Sequence, residues 1–115
     1  MNDFKYAWNV WCNSWTITNT TERAQELQHI LAQNFTYTDP VMAVKGVDQI
    51  NEAIQQFQAQ APGITFDATH ISTHNNRFLV KWNMLNAEND IINEGSSFIQ
   101  TENNKFKDIT GFFEV

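Results

Sequence analysis

The stretch Phe57-Gln58-Ala59-Gln60-Ala61-Pro62-Gly63-Ile64-Thr65-Phe66 divides the chain into two parts with different apolar periods. Before it, Val47, Ile50, Ala53, Ile54 and Phe57 recur at helical spacing, which predicts a helix over 47–61. Pro62 brings no N–H and Gly63 follows it, so the helix stops there. After Gly63 the period becomes two. Phe78, Val80, Trp82 and Met84 share one strand face; Leu79, Lys81, Asn83 and Leu85 share the other. Strands are predicted over 64–74, 77–87, 91–101 and 105–115. They are separated by Asn75-Asn76, Glu88-Asn89-Asp90 and Glu102-Asn103-Asn104, all turn formers. Four long neighbours with short turns make an antiparallel meander.

Upstream, Phe4, Trp8, Trp11, Cys12 and Trp15 form one helical stripe over 4–15. A second helix is expected over 20–33, with Asn19 as N-cap and Glu22 placed to close a capping box. Phe35, Tyr37 and Asp39 alternate with Thr36 and Thr38 in a short strand that Pro40 ends. The segment Val41–Gly46 reads as a loop. Helices come early and strands late, so the fold class is α+β in one domain, residues 1–115.

The 115 residues include fifteen aromatics, nine Phe, four Trp and two Tyr, enough for a heavy core or a lined cavity. Thirteen acidic against seven basic residues give a net charge of −6. The cations are scattered from Lys5 to Lys107, which argues against nucleic acid and against an anionic membrane. No segment reaches the roughly 20 apolar residues of a membrane span. Residues 1–20 lack a basic start followed by an apolar run, so the cytoplasm is the expected compartment. Cys12 is the lone cysteine. It excludes an intrachain disulfide and reads as a small buried residue, because no basic neighbour favours a thiolate.

Several local patterns occur in a recognisable order: Tyr37-Thr38-Asp39-Pro40, Gly46 opening a helix, Phe57 with Pro62-Gly63, Arg77-Phe78 with Trp82, Glu94-Gly95, and the ending Ile109-Thr110-Gly111-Phe112-Phe113-Glu114. In this the chain resembles the nuclear-transport-factor-2-like superfamily, and within it the SnoaL-like group, which includes ketosteroid isomerases and polyketide cyclases. The resemblance implies a cone: a curved antiparallel sheet wrapped against three helices, open at one end to an apolar ligand. Homodimers are common in the group. Because members include enzymes of several kinds and non-catalytic modules, the fold does not select a function.

The resemblance makes Asp39 the first catalytic candidate, since the isomerase branch uses the Asp of an Asp-Pro pair as general base. A carboxylate against an apolar wall suits that task. The competing reading is a turn cap, because Asp before Pro bonds backbone N–H groups. The branch also uses a helical Tyr and a late-strand carboxylic acid as oxyanion donors; Trp11 and Ser97 stand near those positions here. His70 is the second catalytic candidate if it points inward, and a surface residue if it does not. His70 and His74 share a strand face but lie about 13 Å apart by rise, too far for one metal. No metal site and no cofactor motif is found: there is no Cys/His cluster, no Walker A loop and no Gly-rich dinucleotide fingerprint. Trp15, Tyr37, Phe57 and Trp82, with Ser97, are the expected ligand-binding residues.

Two functions follow as expectations. The first is a small-molecule-binding domain acting as a cofactor-independent enzyme: proton transfer, isomerisation, cyclisation or dehydration of a small apolar carbonyl compound. The second is a non-catalytic ligand-binding or dimerisation module. A homodimer through the sheet is expected because the last strands carry apolar residues on both faces: Lys107, Ile109, Gly111, Phe113 and Val115 on one, Phe106, Asp108, Thr110, Phe112 and Glu114 on the other. Three helices cover only one face, and a second copy would cover the other.

Overall fold

The computed structural model describes residues 3–115. Helix α1 (Asp3–Ser14) and helix α2 (Thr20–Ile30) lead into strand β1 (Leu31–Asp39) and the short strand β2 (Met42–Lys45). Helix α3 (Gly46–Gln60) precedes β3 (Thr65–His74), β4 (Arg77–Leu85), β5 (Ile91–Glu102) and β6 (Lys105–Phe113). The six strands form one curved, unclosed sheet in the order β2-β1-β6-β5-β4-β3. The fold is α+β, with three helices packed on one sheet. No helix among the described residues is long and apolar enough to cross a membrane.

The meander forms as the periodicity predicts: β3 to β6 pair in succession, each antiparallel to the last. Two of its turns place Asn75-Asn76 and Asn103-Asn104 at positive φ. That is the conformation of two-residue hairpins whose twist matches the strands, and Asn adopts it at lower cost than other side chains.

Three expectations need correction. The sheet is mixed, because β1 lies parallel to β6 with Tyr37 opposite Ile109. The second helix ends at Ile30, and Leu31 is already extended at φ −99°, ψ 136°. An apolar residue at 31 satisfies either a helical or a strand face, so the period there does not discriminate. The segment read as a loop contains β2, which pairs with β1 through Asp39 opposite Met42. Four residues are too few to display a period.

The α1 stripe packs as expected: Phe4 stacks on Phe78 at 3.8 Å and tilts against Phe106 at 5.7 Å. Asn19 caps α2, its Oδ1 accepting from Glu22 N–H at 2.9 Å. Arg23 on α2 is fully buried. Its guanidinium donates to the Ile17 carbonyl at 2.6 and 3.0 Å, and to Asn51 Oδ1, Gln55 Oε1 and Gln58 Oε1 at 2.8–3.1 Å. This fork ties the α1–α2 connection to α3 through neutral acceptors. On the sheet face away from the helices, Leu79 and Phe112 are exposed, beside the half-buried Phe98 opposite Leu79.

Candidate functional site

Tyr37 and Asp39 are two apart on β1 and so share a face, the one turned to the helices. Pro40 ends the strand beyond them. The Asp39 carboxylate is held on both oxygens. Oδ1 accepts from Val41 N–H at 2.9 Å and Met42 N–H at 3.0 Å, closing the β1–β2 turn. Oδ2 accepts from the Tyr37 hydroxyl at 2.6 Å. Burial first, then the hydrogen bond to Asp39 and its charge, hold the Tyr37 phenol well above its ordinary value. It remains a protonated donor throughout the physiological range.

On β6, Gly111 faces this pair. A Cβ there would lie 3.3 Å from Asp39 Cβ and 3.4 Å from Tyr37 Oη, so glycine leaves the space beside the two side chains open. On β5, Gly95 plays a related part. A Cβ there would fall 2.5 Å from the Trp82 ring, so the indole lies against the bare β5 backbone. Trp82 Nε1 then donates to Ser97 Oγ at 3.0 Å.

These side chains wall a cavity of about 250 Å³. Asp39, Trp15, Tyr37, Phe57, Trp82 and Ser97 all line it. The aromatic rings follow one another around it: Tyr37 to Trp11 at 5.6 Å, Trp11 to Trp15 at 5.8 Å, Trp15 to Phe66 at 5.9 Å, Phe66 to Trp82 at 5.4 Å and Trp82 to Phe113 at 6.1 Å. Phe66, Met84 and Phe113 were not among the expected lining residues, although Met84 alternates with Trp82 on β4. Cys12 also lines the cavity. Burial, with the charge of Asp67 adding, pushes its thiol up to about 12, which removes it as a nucleophile at neutral pH. Trp8 Nε1 is a buried N–H with no acceptor, and Trp8 belongs to the same wall.

His70 is the exception. It is exposed, bonds Ser72 Oγ at 3.1 Å and does not line the cavity. The cause is a bulge. Ala68 pairs with Trp82, but His70 pairs with Lys81, so Thr69 is extra. One added residue reverses the alternation, turning His70 outward and Ile71 inward. Among the described residues no cluster of His, Cys, Asp and Glu is placed to hold a metal.

No curated protein matches the chain. Similar solved structures share its fold at low identity. A proposed isomerase of the SnoaL-like family from Agrobacterium tumefaciens superposes with a TM-score of 0.90 at 19% identity, covering 100% of both chains. A hypothetical protein of ketosteroid isomerase-like fold from Catenulispora acidiphila, in complex with trimethylamine, gives 0.77 at 14% identity over 95% of this chain and 85% of its own. A proposed polyketide cyclase from Sinorhizobium meliloti gives 0.73 at 9% identity over 91% and 92%. Residues 14–109 match the model of the SnoaL-like domain. The chain belongs to the SnoaL-like domain family.

Proposed function

We propose that the cavity holds a small, largely apolar carbonyl compound, and that Asp39 moves a proton on it without a cofactor. One observation carries this reading: Asp39 is a carboxylate set in an aromatic wall, held in place by Tyr37 and two backbone N–H groups. A base fixed against an apolar surface can take a proton α to a carbonyl and return it elsewhere on the same substrate. Ser97 offers a hydroxyl on the same wall, the donor nearest to hand for a substrate oxygen. Size limits the substrate. A cavity of about 150 Å³ takes benzene, so about 250 Å³ suits a ligand of the size of a small ring compound. That the Catenulispora relative is in complex with a molecule as small as trimethylamine supports a ligand of this scale.

The test is exchange of the α-hydrogens of cyclohexanone for deuterium, followed by NMR. The protein should accelerate exchange above buffer, and Asp39→Asn should cut the acceleration by roughly 10²–10⁴. Binding of the ketone, read by tryptophan fluorescence, should change less than twofold. The observation favouring a binding module instead is the double backbone bond to Oδ1, which is what a turn cap needs. Ketone binding with exchange at the buffer rate would decide for that module.

The same reading extends to assembly. We infer a homodimer through the outer sheet face, where Leu79, Phe98 and Phe112 stand among polar neighbours such as Lys81 and Thr110.

A further inference from the structure

The charge around the cavity is as informative as its shape. Asp39 is the one charged side chain among the described residues that line it; no Lys, Arg or His does. The cavity shares Val41, Met42 and Phe57 with a groove between β2 and α3. That groove adds Asp48 and Glu52, and again no basic residue. An anionic ligand would meet carboxylates in both the cavity and the groove beside it and no basic lining residue in either. A neutral ligand gains nothing from them. A cation is attracted at every point, and the net charge of −6 acts in the same sense.

The walls suit one kind of cation. The run of rings from Tyr37 through Trp15 and Trp82 to Phe113 has successive centroids 5.4–6.1 Å apart. Aromatic faces attract cations through the ring quadrupole, most strongly when Trp is involved and water is excluded. Hydrogen-bond acceptors are few. Ser97 Oγ already accepts from Trp82, and three N–H or O–H donors already occupy the Asp39 carboxylate. A primary ammonium would bring three donors and leave most of them without partners, at a desolvation cost. A dimethylated ammonium brings one donor and a trimethylated ammonium none.

We propose that the cavity selects small ligands bearing a methylated ammonium group, seated among the rings with Asp39 as counter-charge. This deepens the reading above and rests on it only in requiring that the cavity hold a ligand; proton transfer is not required. Where Asp39 does act as a base, a bare methylated ammonium ion pairs with the carboxylate and competes with the ketone.

The experiment compares two probes of one shape and different charge, choline and 3,3-dimethylbutan-1-ol, with cyclohexanone as the neutral control. Dissociation constants come from tryptophan fluorescence and calorimetry on the wild-type protein. Choline should bind at least tenfold more tightly than the alcohol. That preference should shrink as salt rises from 20 to about 300 mM, in keeping with screening. Asp39→Asn, its folding checked by circular dichroism, should weaken choline at least tenfold and the alcohol less than twofold. Equal affinities in the wild type, or tighter binding of the alcohol, overturn the assignment and leave the cavity reading in place. So does binding of cyclohexanone with neither probe. A preference for choline that survives intact in folded Asp39→Asn overturns the role of Asp39. Binding of none of the three removes both readings together.

Discussion

At the scale of single residues, the structure places two ionisable groups where their burial has measurable consequences. Cys12 keeps its proton in the folded state up to about 12 because burial and the Asp67 charge oppose the thiolate. The unfolded thiol ionises near its ordinary value, ~8.5. Between those limits the native state binds more protons than the unfolded one, so stability is full below the unfolded value and declines as pH rises through that window. Denaturant titrations of wild type and Cys12→Ala between pH 7 and 10.5 should show a steeper alkaline loss in the wild type. Parallel curves would show that Cys12 ionises alike in both states. Arg23 is the second case. Its removal takes the donors from the half-buried amide oxygens of Asn51 and Gln58 and from the exposed Gln55, while the Ile17 carbonyl keeps its bond from Gln58 Nε2. An acceptor left without a donor costs about 1–3 kcal/mol when fully shielded, and these are partly open to water, so Arg23→Ala should lose about 1–3 kcal/mol in urea unfolding. Arg23→Lys should recover less than half of that, because an ammonium lacks the planar fork. A loss under 1 kcal/mol for the alanine variant would mean that water replaces the guanidinium.

At the scale of elements, the cavity depends on a strand glycine whose role is steric. Gly95→Ala would put a methyl 2.5 Å from the Trp82 ring and 2.6 Å from the Phe112 carbonyl oxygen, so the indole must leave β5, breaking its bond to Ser97, and the β6 backbone must shift with it. The expected cost is about 1–3 kcal/mol, typical of overpacking, together with loss of ketone binding as the ring enters the cavity. Unchanged fluorescence and binding in that variant would contradict the placement. Much of this level was legible in the sequence. The alternation of Phe78, Val80, Trp82 and Met84 identifies the inner face of β4, and Pro62-Gly63 marks the change from helix to strand. What alternation cannot show is a bulge. Phe106 belongs to the core although it alternates with Ile109 and Gly111, because the register slips between Gln100 and Thr101. His70 leaves the cavity wall for the same reason at Thr69. A single inserted residue alters no composition and no local propensity, yet it reverses every side chain beyond it until the strand ends. Asp39 and Tyr37 were legible because the slip in β1 falls before them, between Leu31 and Thr36, and the alternation from there to Pro40 is unbroken. Gly95 carried no chemical signal by itself; its importance exists only opposite Trp82.

At the scale of the whole molecule, the outer sheet face makes the dimer testable. Sedimentation at micromolar concentration should give twice the 13.3 kDa of the chain, and Phe112→Glu should return it to 13.3 kDa with little change in cavity binding. A wild-type mass of 13.3 kDa across that range would count against the dimer. The parallel pairing of β1 with β6 has a different consequence, one of timing. Thr36 and its partner Asp108 are 72 positions apart, and everything between them must be made before β1 gains that neighbour. Until then the first helices and the β1–β2 hairpin have no sheet to rest on, and their apolar stripe of Phe4, Trp8, Trp11 and Trp15 stays without the strands it packs against. Contacts this distant in sequence form late because loop closure must precede them. During synthesis, therefore, the N-terminal half stays without its sheet until residues 105–113 have been made, and its apolar stripe is the surface left uncovered if they are delayed or lost.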